Sequence, residues 1–339
     1  MFRAKTFYLA QSAELPAAWV TLANRSGCRW ANSCIPFIQK SFRTGPKCRE
    51  RTAPSPCRDK IMGEKEPPGA LVYDIGGAFG VPESHVEFLK KHFDLITMKE
   101  FHKNKEQLCE KIRSIFVFEL RPVVDCELLE SLPRLKVVGN SGVGVDHLDL
   151  KLISSYGVKI TNTPHAVSDS TADIGMALML ASARRLVEGC CIATSPDTTH
   201  FAADWLGVEV TGATLGIIGM GSIGYKVAKR AKAFDMNILY HNRNRRKEEE
   251  EAIGAIYCKN MQDLLQQSDF VMLVVNLTPE THKLIGKREL ELMKPTATLI
   301  NISRGAVVDQ DALAKALQKS VIRAAALDVT DPEPLPRRA

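Results

Sequence analysis

The feature that most constrains the fold is a glycine-rich turn in the stretch LGIIGMGSIG, residues 215–224. Gly219, Gly221 and Gly224 follow an apolar run and open a segment with helical periodicity. In that context the spacing G-x-G-x-x-G indicates dinucleotide binding. The first glycine permits the tight turn, the second lets the backbone approach a pyrophosphate, and the third lets helix and strand pack closely. The helix start also offers unpaired N–H groups to phosphates. A tight turn without a ligand is the alternative.

Short apolar runs alternate with helical segments on both sides of this turn. Five strand-like runs lie between residues 69 and 163, and six more lie between residues 213 and 329. Strands separated by helices of this length form right-handed crossovers and parallel sheets. The predicted fold class is therefore α/β, with two doubly wound parallel-sheet domains.

A long helix is predicted between the two sets of strands, over residues 170–190. Ser170 and Asp173 have the spacing of a capping box at its start. The apolar positions expected to bury one face are Ile174, Ala177, Leu178 and Ala181.

The predicted domains follow from these patterns. Residues 1–66 form a basic leader, expected to be disordered, residues 67–167 a substrate domain, and residues 168–339 a nucleotide-binding domain that begins with the long helix. Residues 1–60 hold eleven Lys and Arg against three acids, a local balance of +8. Because the whole chain carries +6, the remaining residues carry −2, which does not favour nucleic acid or acidic membrane as a partner.

The leader has two interpretations. Its few acids are compatible with a mitochondrial transit peptide, and the alternative is an upstream extension before Met62. No CxxC spacing occurs among the nine cysteines, so the sequence predicts no metal site and a cytoplasmic, reduced body, with mitochondria as the alternative compartment.

The residues after the next strand indicate which dinucleotide binds. An NAD site places an Asp or Glu there, about twenty residues after the first glycine, to bind the ribose hydroxyls. Here the strand MNILY is followed by His241 and NRNRR. Arg243, Arg245 and Arg246 offer guanidinium groups suited to a 2′-phosphate. The sequence therefore favours NADP(H), with NAD(H) possible; a solvated basic helix start, balanced by the EEEE run that follows, is the structural alternative.

Three further motifs also lie at strand ends. NSGVGVDHLDL, residues 140–150, ends a strand with small residues whose successive N–H groups can form a nest for a carboxylate. NISRGAVVDQDAL places Arg304 just past a strand, where ligands lie in an open parallel sheet. LDVTDPEPLP places Asp328 and Glu333 past the next strand.

Together with the glycine turn, these motifs resemble the D-isomer-specific 2-hydroxyacid dehydrogenase family over about residues 69–336, and most closely its glyoxylate and hydroxypyruvate reductase branch. The resemblance implies a flavodoxin-like substrate domain, a Rossmann NAD(P)-binding domain and a homodimer formed through the cofactor domain. It also implies NADPH-dependent reduction of a small 2-keto acid (glyoxylate, hydroxypyruvate or 2-ketogluconate) by hydride from C4 of the nicotinamide.

The same resemblance assigns roles to single residues. Val143 and Gly144 match the loop that binds the substrate carboxylate, and Arg304 matches the arginine that grips this carboxylate and polarises the keto oxygen. Glu333 matches the acid that pairs with a catalytic histidine. The positions that match cofactor contacts are Gly219, Gly221, Ser222, Ile223, Gly224, Arg243, Asn276, Ile302 and Asp328. A surface ion pair for Arg304 and a turn role for Glu333 are the structural alternatives.

The histidine that the resemblance implies would follow Glu333. The eight histidines of this sequence all precede Arg304: 85, 92, 102, 147, 165, 200, 241 and 282. His147 and His165 match no catalytic position and are interpreted as loop or packing residues. The sequence thus resembles a C-terminally truncated member, expected to lose about 10²- to 10⁴-fold in turnover without its general acid. A non-catalytic NADP-binding isoform and a corepressor-like binding protein remain alternative functions.

Overall fold

The structure is a computed structural model that describes residues 66–196 and 205–335, together with the backbone of two short strands, β1 (Tyr8–Gln11) and β2 (Val20–Thr21). Most of the leader, the four cysteines within it, His200 and the last four residues lie outside the described residues. None of the described helices combines the length and apolar character needed to span a bilayer.

The smaller sheet contains five parallel strands in the order β4-β3-β5-β6-β7. Its strands are β3 (Gly69–Val72), β4 (Asp94–Thr97), β5 (Ile112–Val117), β6 (Val137–Asn140) and β7 (Lys159–Thr161). Its helices are α1 (Glu83–Lys90), α2 (Met98–Lys103), α3 (Lys105–Leu108), α4 (Cys126–Glu130) and α5 (Leu150–Ser155). This strand order is the flavodoxin-like one, 2-1-3-4-5.

The larger sheet contains six parallel strands in the order β10-β9-β8-β11-β12-β13, extended by β1 and β2. Its parallel strands are β8 (Thr214–Ile218), β9 (Asn237–His241), β10 (Ile256–Tyr257), β11 (Phe270–Leu273), β12 (Thr298–Asn301) and β13 (Ala324–Leu327). The order of the six is the Rossmann order 3-2-1-4-5-6. The predicted α/β class with two parallel-sheet domains is confirmed.

Seven helices accompany the larger sheet. They are α6 (Ser168–Ala183), α7 (Leu186–Thr194), α8 (Ser222–Lys232), α9 (Lys247–Ile253), α10 (Met261–Gln267), α11 (Lys287–Leu292) and α12 (Gln310–Gln318). One core cluster packs α10, α11 and α12 on one face of the sheet, and a second packs α6 and α8 on the other. Both faces of the parallel strands are therefore buried, which is why these strands are continuous apolar runs rather than alternating ones.

The strand β1 is not predicted from the sequence, which places a leader expected to be disordered there. It pairs antiparallel with β13, from Tyr8 opposite Leu327 to Gln11 opposite Ala324. The physical reason is that β13 is the last of the parallel strands, so the N–H and C=O groups on its outer side are available to pair with an extended segment. The backbone of residues 8–11 is therefore part of the larger sheet.

The long helix differs from its prediction in its start, its end and its buried face. It ends at Ala183, and residues 186–190 belong to α7, because Arg185 has a positive φ that interrupts the helix. It begins at Ser168 rather than at Ser170, and no side chain caps it, so the predicted capping box is wrong. The Oγ of Ser170 instead donates to the carbonyl of Val167. Ala177, expected to be buried, is exposed. The cause is tertiary: the helix packs against α8 and against β12 and β13, which buries the face that contains Ala172, Gly175 and Met179 and leaves Ala177 towards solvent.

Candidate active site

The glycine turn has the geometry that its spacing predicts. Gly219 has a φ of 108°, in the region that favours glycine. A Cβ on Gly224 would overlap the carbonyl oxygen of Gly219 and lie 3.4 Å from Ile217 Cγ2, so this position holds helix and strand close. Gly221 is the N-cap of α8, has no side-chain hydrogen bond there, and would have no atom within 4 Å of an added Cβ. Its backbone is thus open to a ligand at the amino terminus of an eleven-residue helix.

Asn242 holds this turn in place and was not singled out from the sequence. Its Oδ1 accepts from Met220 N at 2.6 Å, and its Nδ2 donates to Met220 O at 3.3 Å. Gly219 N donates to His241 O at 3.1 Å. The end of β9 therefore clamps both sides of the turn. The Nδ1 of His241 itself lies 2.9 Å from Cys258 O.

The three arginines after β9 differ in their surroundings. Arg245 pairs with Glu250, with Nη2 to Oε1 at 2.5 Å, and its guanidinium lies over the Tyr257 ring. Arg246 pairs with Glu249. The acids of α9 therefore pair with two of the three guanidinium groups, and the offer of all three to a 2′-phosphate stays a prediction. Arg243 is exposed and makes no ion pair with a described residue. A hydrogen bond from Thr278 and, to a smaller extent, the charge of Arg243 lower the pKa of Glu280.

The loop after β6 presents free N–H groups because its carbonyls are bound from behind. Asn140 Nδ2 donates to the carbonyls of Gly142 and Gly144, each at 2.9 Å, and Asn162 Nδ2 donates to that of Val143 at 2.8 Å. Among the described residues, the N–H groups of Val143 and Gly144 donate to no protein acceptor. Two successive N–H groups are thus open, which is the geometry of an anion nest, and binding of a carboxylate there stays a prediction.

Arg304 is presented by a turn that a second asparagine organises. Asn301, 1% exposed, donates from Nδ2 to Arg304 O at 2.8 Å and accepts on Oδ1 from Ser303 N at 3.0 Å. Arg304 Nη1 donates to Ser303 O at 3.0 Å. A buried asparagine with its hydrogen bonds made fixes a local geometry, because leaving it unsatisfied is costly.

The guanidinium of Arg304 lies against the nest. A Cβ on Gly144 would overlap Nη2 and would lie 2.8 Å from Cζ of Arg304. Arg304 Nε donates to Asp146 Oδ1 at 3.1 Å and to Oδ2 at 3.3 Å. The end of β12 and the loop after β6, which belong to different sheets, thus meet at one place and bring together Val143, Gly144 and Arg304.

The remaining residues singled out from the sequence lie at the same edge of the larger sheet. Asn276 is exposed after β11, while the side chain of Ile302 is buried in the core between β12 and α6. Asp328 N donates to Asn301 O at 2.9 Å, and Glu333 is exposed on the loop after β13. That loop contacts the Arg304 turn, since a Cβ on Gly305 would overlap the backbone of Thr330.

Ser222 and Ile223 form the first turn of α8. Ser222 is exposed, and its Oγ lies 3.3 Å from that of Ser168, the first residue of α6. Lys226, one turn further, donates to both carboxylate oxygens of Asp169 at 2.7 Å. The amino termini of α6 and α8 are therefore joined beside the glycine turn.

Within the described part of the chain, neither His147 nor His165 forms a hydrogen bond with a carboxylate. Neither ring nitrogen of His147 has a hydrogen-bond partner among the described residues, and burial lowers its pKa. His165 is exposed. Within the described ranges, no three His, Cys, Asp or Glu side chains come together in a way that could hold a metal ion.

Known proteins are similar to this chain in sequence and in fold. Residues 176–339 match the sequence profile described as D-isomer specific 2-hydroxyacid dehydrogenase, NAD binding domain. A glyoxylate reductase of Thermococcus onnurineus is 43% identical over 262 residues, which cover 75% of this chain and 78% of that relative.

Two solved structures with the same fold contain different nicotinamide cofactors. An NADPH-dependent glyoxylate/hydroxypyruvate reductase from Sinorhizobium meliloti, in complex with NADP and malonate, is 28% identical with a TM-score of 0.68; the match covers 79% of this chain and 81% of that one. A D-lactate dehydrogenase from Aquifex aeolicus, complexed with NAD and lactic acid, is 32% identical with a TM-score of 0.64; the match covers 75% of this chain and 74% of that one.

Proposed function

Because the chain belongs to the D-isomer specific 2-hydroxyacid dehydrogenase family, we propose that it is an oxidoreductase that reduces a small 2-keto acid to the D-2-hydroxy acid with NADPH. Glyoxylate and hydroxypyruvate are the proposed substrates, and 2-ketogluconate is a larger alternative. The observation that carries the proposal is the meeting of the Arg304 guanidinium with the free N–H groups of Val143 and Gly144.

The proposed binding mode uses both groups on one ligand. The N–H groups of Val143 and Gly144 receive the carboxylate, and Arg304 binds it from the other domain and polarises the adjacent keto oxygen. The nicotinamide, when bound, supplies the hydride. Holding the keto acid, which accepts the hydride, and the nicotinamide, which donates it, in one geometry accounts for much of the rate enhancement that such a site provides.

The residues present fit a dinucleotide. Gly221 leaves room for a pyrophosphate at the start of α8, and Ser222 and Ile223 follow in the same turn. Asn276 and Asp328 stand at the carboxyl ends of β11 and β13, on either side of β12, which leads to Arg304. These residues, with the backbone of Ile302, would hold the cofactor along this edge.

Glu333 is proposed as the acid that pairs with the proton-donating histidine of the family. It is exposed on the loop after β13, which contacts the turn carrying Arg304. A carboxylate in this place would raise the pKa of an imidazole beside it and favour proton donation to the developing alkoxide.

The proposed preference for NADPH rests on Arg243. No Asp or Glu stands at the end of β9 to bind ribose hydroxyls, and Arg243 is exposed there without an ion pair among the described residues. Titration of the purified protein with NADPH and NADH, followed by nucleotide fluorescence, tests this preference. Tighter binding of NADPH supports it, and equal or tighter binding of NADH contradicts it. The second outcome favours the alternative of a corepressor-like binding protein, which is expected to prefer NAD.

A homodimer is proposed through α7. The helix LVEGCCIAT is apolar, yet none of its residues is buried in the described structure. Leu186 is 58% exposed, and Leu206 is 76% exposed. The longer α6 packs on α8 and β12 of its own chain instead. A second copy that covers α7 is expected, and the molar mass from light scattering should be that of two chains and should halve in Leu186→Lys.

A further inference from the structure

We infer that Asp146 is a positioning residue for Arg304, an inference that rests on the proposed function. Its carboxylate accepts from Nε, which fixes the plane of the guanidinium and leaves Nη2 over the Val143–Gly144 loop. The same carboxylate offsets the charge of the guanidinium and so weakens its attraction for an anionic ligand.

The geometry of the pair supports the orienting effect. Nε donates to Asp146, and Nη1 donates to the carbonyl of Ser303, which fixes two of the three nitrogens. Nη2 makes no hydrogen bond with a described residue and lies over Gly144. Guanidinium donors have a fixed planar arrangement, so holding Nε and Nη1 sets the direction in which the N–H groups of Nη2 point.

The location of the pair excludes a large role in stability. The side chain of Arg304 is 40% exposed and that of Asp146 is 26% exposed. Ion pairs as exposed as this one contribute little to the free energy of unfolding. Asp146 follows β6 of the smaller sheet and Arg304 follows β12 of the larger one, so the pair joins the two domains where the substrate is proposed to bind.

The two effects of the carboxylate can be separated by substitution. Asp146→Asn keeps an oxygen acceptor for Nε but removes the negative charge. Asp146→Ala removes both the acceptor and the charge. Asp149→Asn is the matched control, because Asp149 lies three residues away, is exposed, and caps α5 through Leu152 N, a role that asparagine also performs.

The first measurement is the affinity for oxamate, a monoanionic isostere of a small 2-keto acid, at saturating NADPH by calorimetry. Asp146→Asn is expected to bind oxamate about 3- to 10-fold more tightly than the unmodified chain, because a repelling charge is removed. Asp146→Ala is expected to bind about 3- to 10-fold more weakly than Asp146→Asn, because the guanidinium must be ordered on binding. Asp149→Asn is expected to match the unmodified chain.

The second measurement needs no ligand. The ¹⁵N-bound Nε proton of Arg304, assigned by its loss in Arg304→Lys, is expected to exchange slowly in the unmodified chain and in Asp146→Asn, and rapidly in Asp146→Ala. Equal oxamate affinity of the Asn and Ala variants, or an Nε proton unaffected by Asp146→Ala, would overturn the inference. Absence of oxamate binding in the unmodified chain would count against the proposed function alone, and the Nε proton would still decide the role of Asp146.

Discussion

Gly175 in the middle of α6 lies directly on Ile302, two residues before Arg304. A Cβ on Gly175 would be 3.0 Å from Ile302 Cδ1 and equally close to Met272 Sδ. The helix that follows the smaller sheet therefore contacts the strand end that presents the guanidinium. Because protein interiors are close-packed, we expect a displacement of α6 to shift Ile302 and the turn that carries Arg304.

Replacing Gly175 by valine is expected to destabilise the fold by about 1–3 kcal/mol through overpacking. The exposed Ala177 of the same helix provides the control, since Ala177→Val adds a similar side chain towards solvent. Urea denaturation of both variants measures the difference. Equal free energies of unfolding would show that α6 does not press on Ile302.

Substitutions at two glycines of the nucleotide turn are expected to have different effects. Gly224→Ala places a methyl group on Gly219 O and should lower the free energy of unfolding by about 1–3 kcal/mol. Gly221→Ala meets no atom within 4 Å and should stay within about 1 kcal/mol of the unmodified chain, yet weaken NADPH binding about 10- to 100-fold. Thermal unfolding and fluorescence titration separate the two effects, and a fully binding Gly221→Ala would contradict a pyrophosphate at this turn.

The strands and the glycine turn are predictable from the sequence because apolar runs and glycine spacing are local signals. The asparagines that shape the loops are not, although each stands at or just after a strand end: Asn140, Asn242 and Asn301. Their bonding partners are carbonyl and N–H groups whose directions are set by the tertiary turn. The same holds for Asp146, whose partner comes from the other domain, 158 residues further along the chain.

Local charge patterns were ambiguous for the same reason. The sequence shows three arginines before four glutamates, and only the path of α9 decides which are paired. Arg245 pairs with Glu250 and Arg246 pairs with Glu249, whereas Arg243 makes no ion pair with a described residue. The capping box between Thr97, the N-cap of α2, and Glu100 was likewise not singled out from the sequence.

Arg243 is expected to account for discrimination between the two nicotinamide dinucleotides. Arg243→Gln should weaken NADPH binding about 10- to 100-fold, the usual effect of losing hydrogen bonds to a charged group, and leave NADH binding unchanged. Arg245→Gln is the matched control, since it loses its pair with Glu250 rather than a contact with the cofactor. If Arg245→Gln reduced NADPH affinity as strongly, the 2′-phosphate would lie nearer α9 than proposed.

Glu250 is expected to make stability depend on pH in the acid range. Its hydrogen bonds from Arg245, together with that from Tyr240, hold its pKa at about 2 instead of the ordinary 4.5. A lowered folded-state pKa contributes stability that is fully present above pH 4.5 and is lost as pH falls through about 2. The difference in unfolding free energy between the unmodified chain and Glu250→Gln should therefore shrink between these pH values. Urea titrations at several pH values measure this difference, and Glu251→Gln, at the exposed neighbouring position, is the control. A difference that stayed constant with pH would contradict the pairing.

The strand β1, which lies between β13 and β2, is expected to protect the backbone of β13 from hydrogen exchange. Alternate N–H groups of residues 324–327 face β12 and β1, because successive groups of a strand point to opposite sides. In a chain that begins at Met62, the groups that face β1 should exchange with water rapidly, while those that face β12 stay protected.

Proline at two successive positions of β1 provides a matched pair. Of Leu9→Pro and Ala10→Pro, one removes an N–H that points towards β13 and the other removes one that points towards β2. One variant should therefore expose the outer N–H groups of β13 more than the other. If neither variant nor the shortened chain changed exchange at residues 324–327, the pairing of β1 with β13 would be wrong.

If the shortened chain also gained mass by self-association, the apolar edge Ala324–Leu327 would be the surface that β1 shields, because an open strand edge is a template for pairing with another chain.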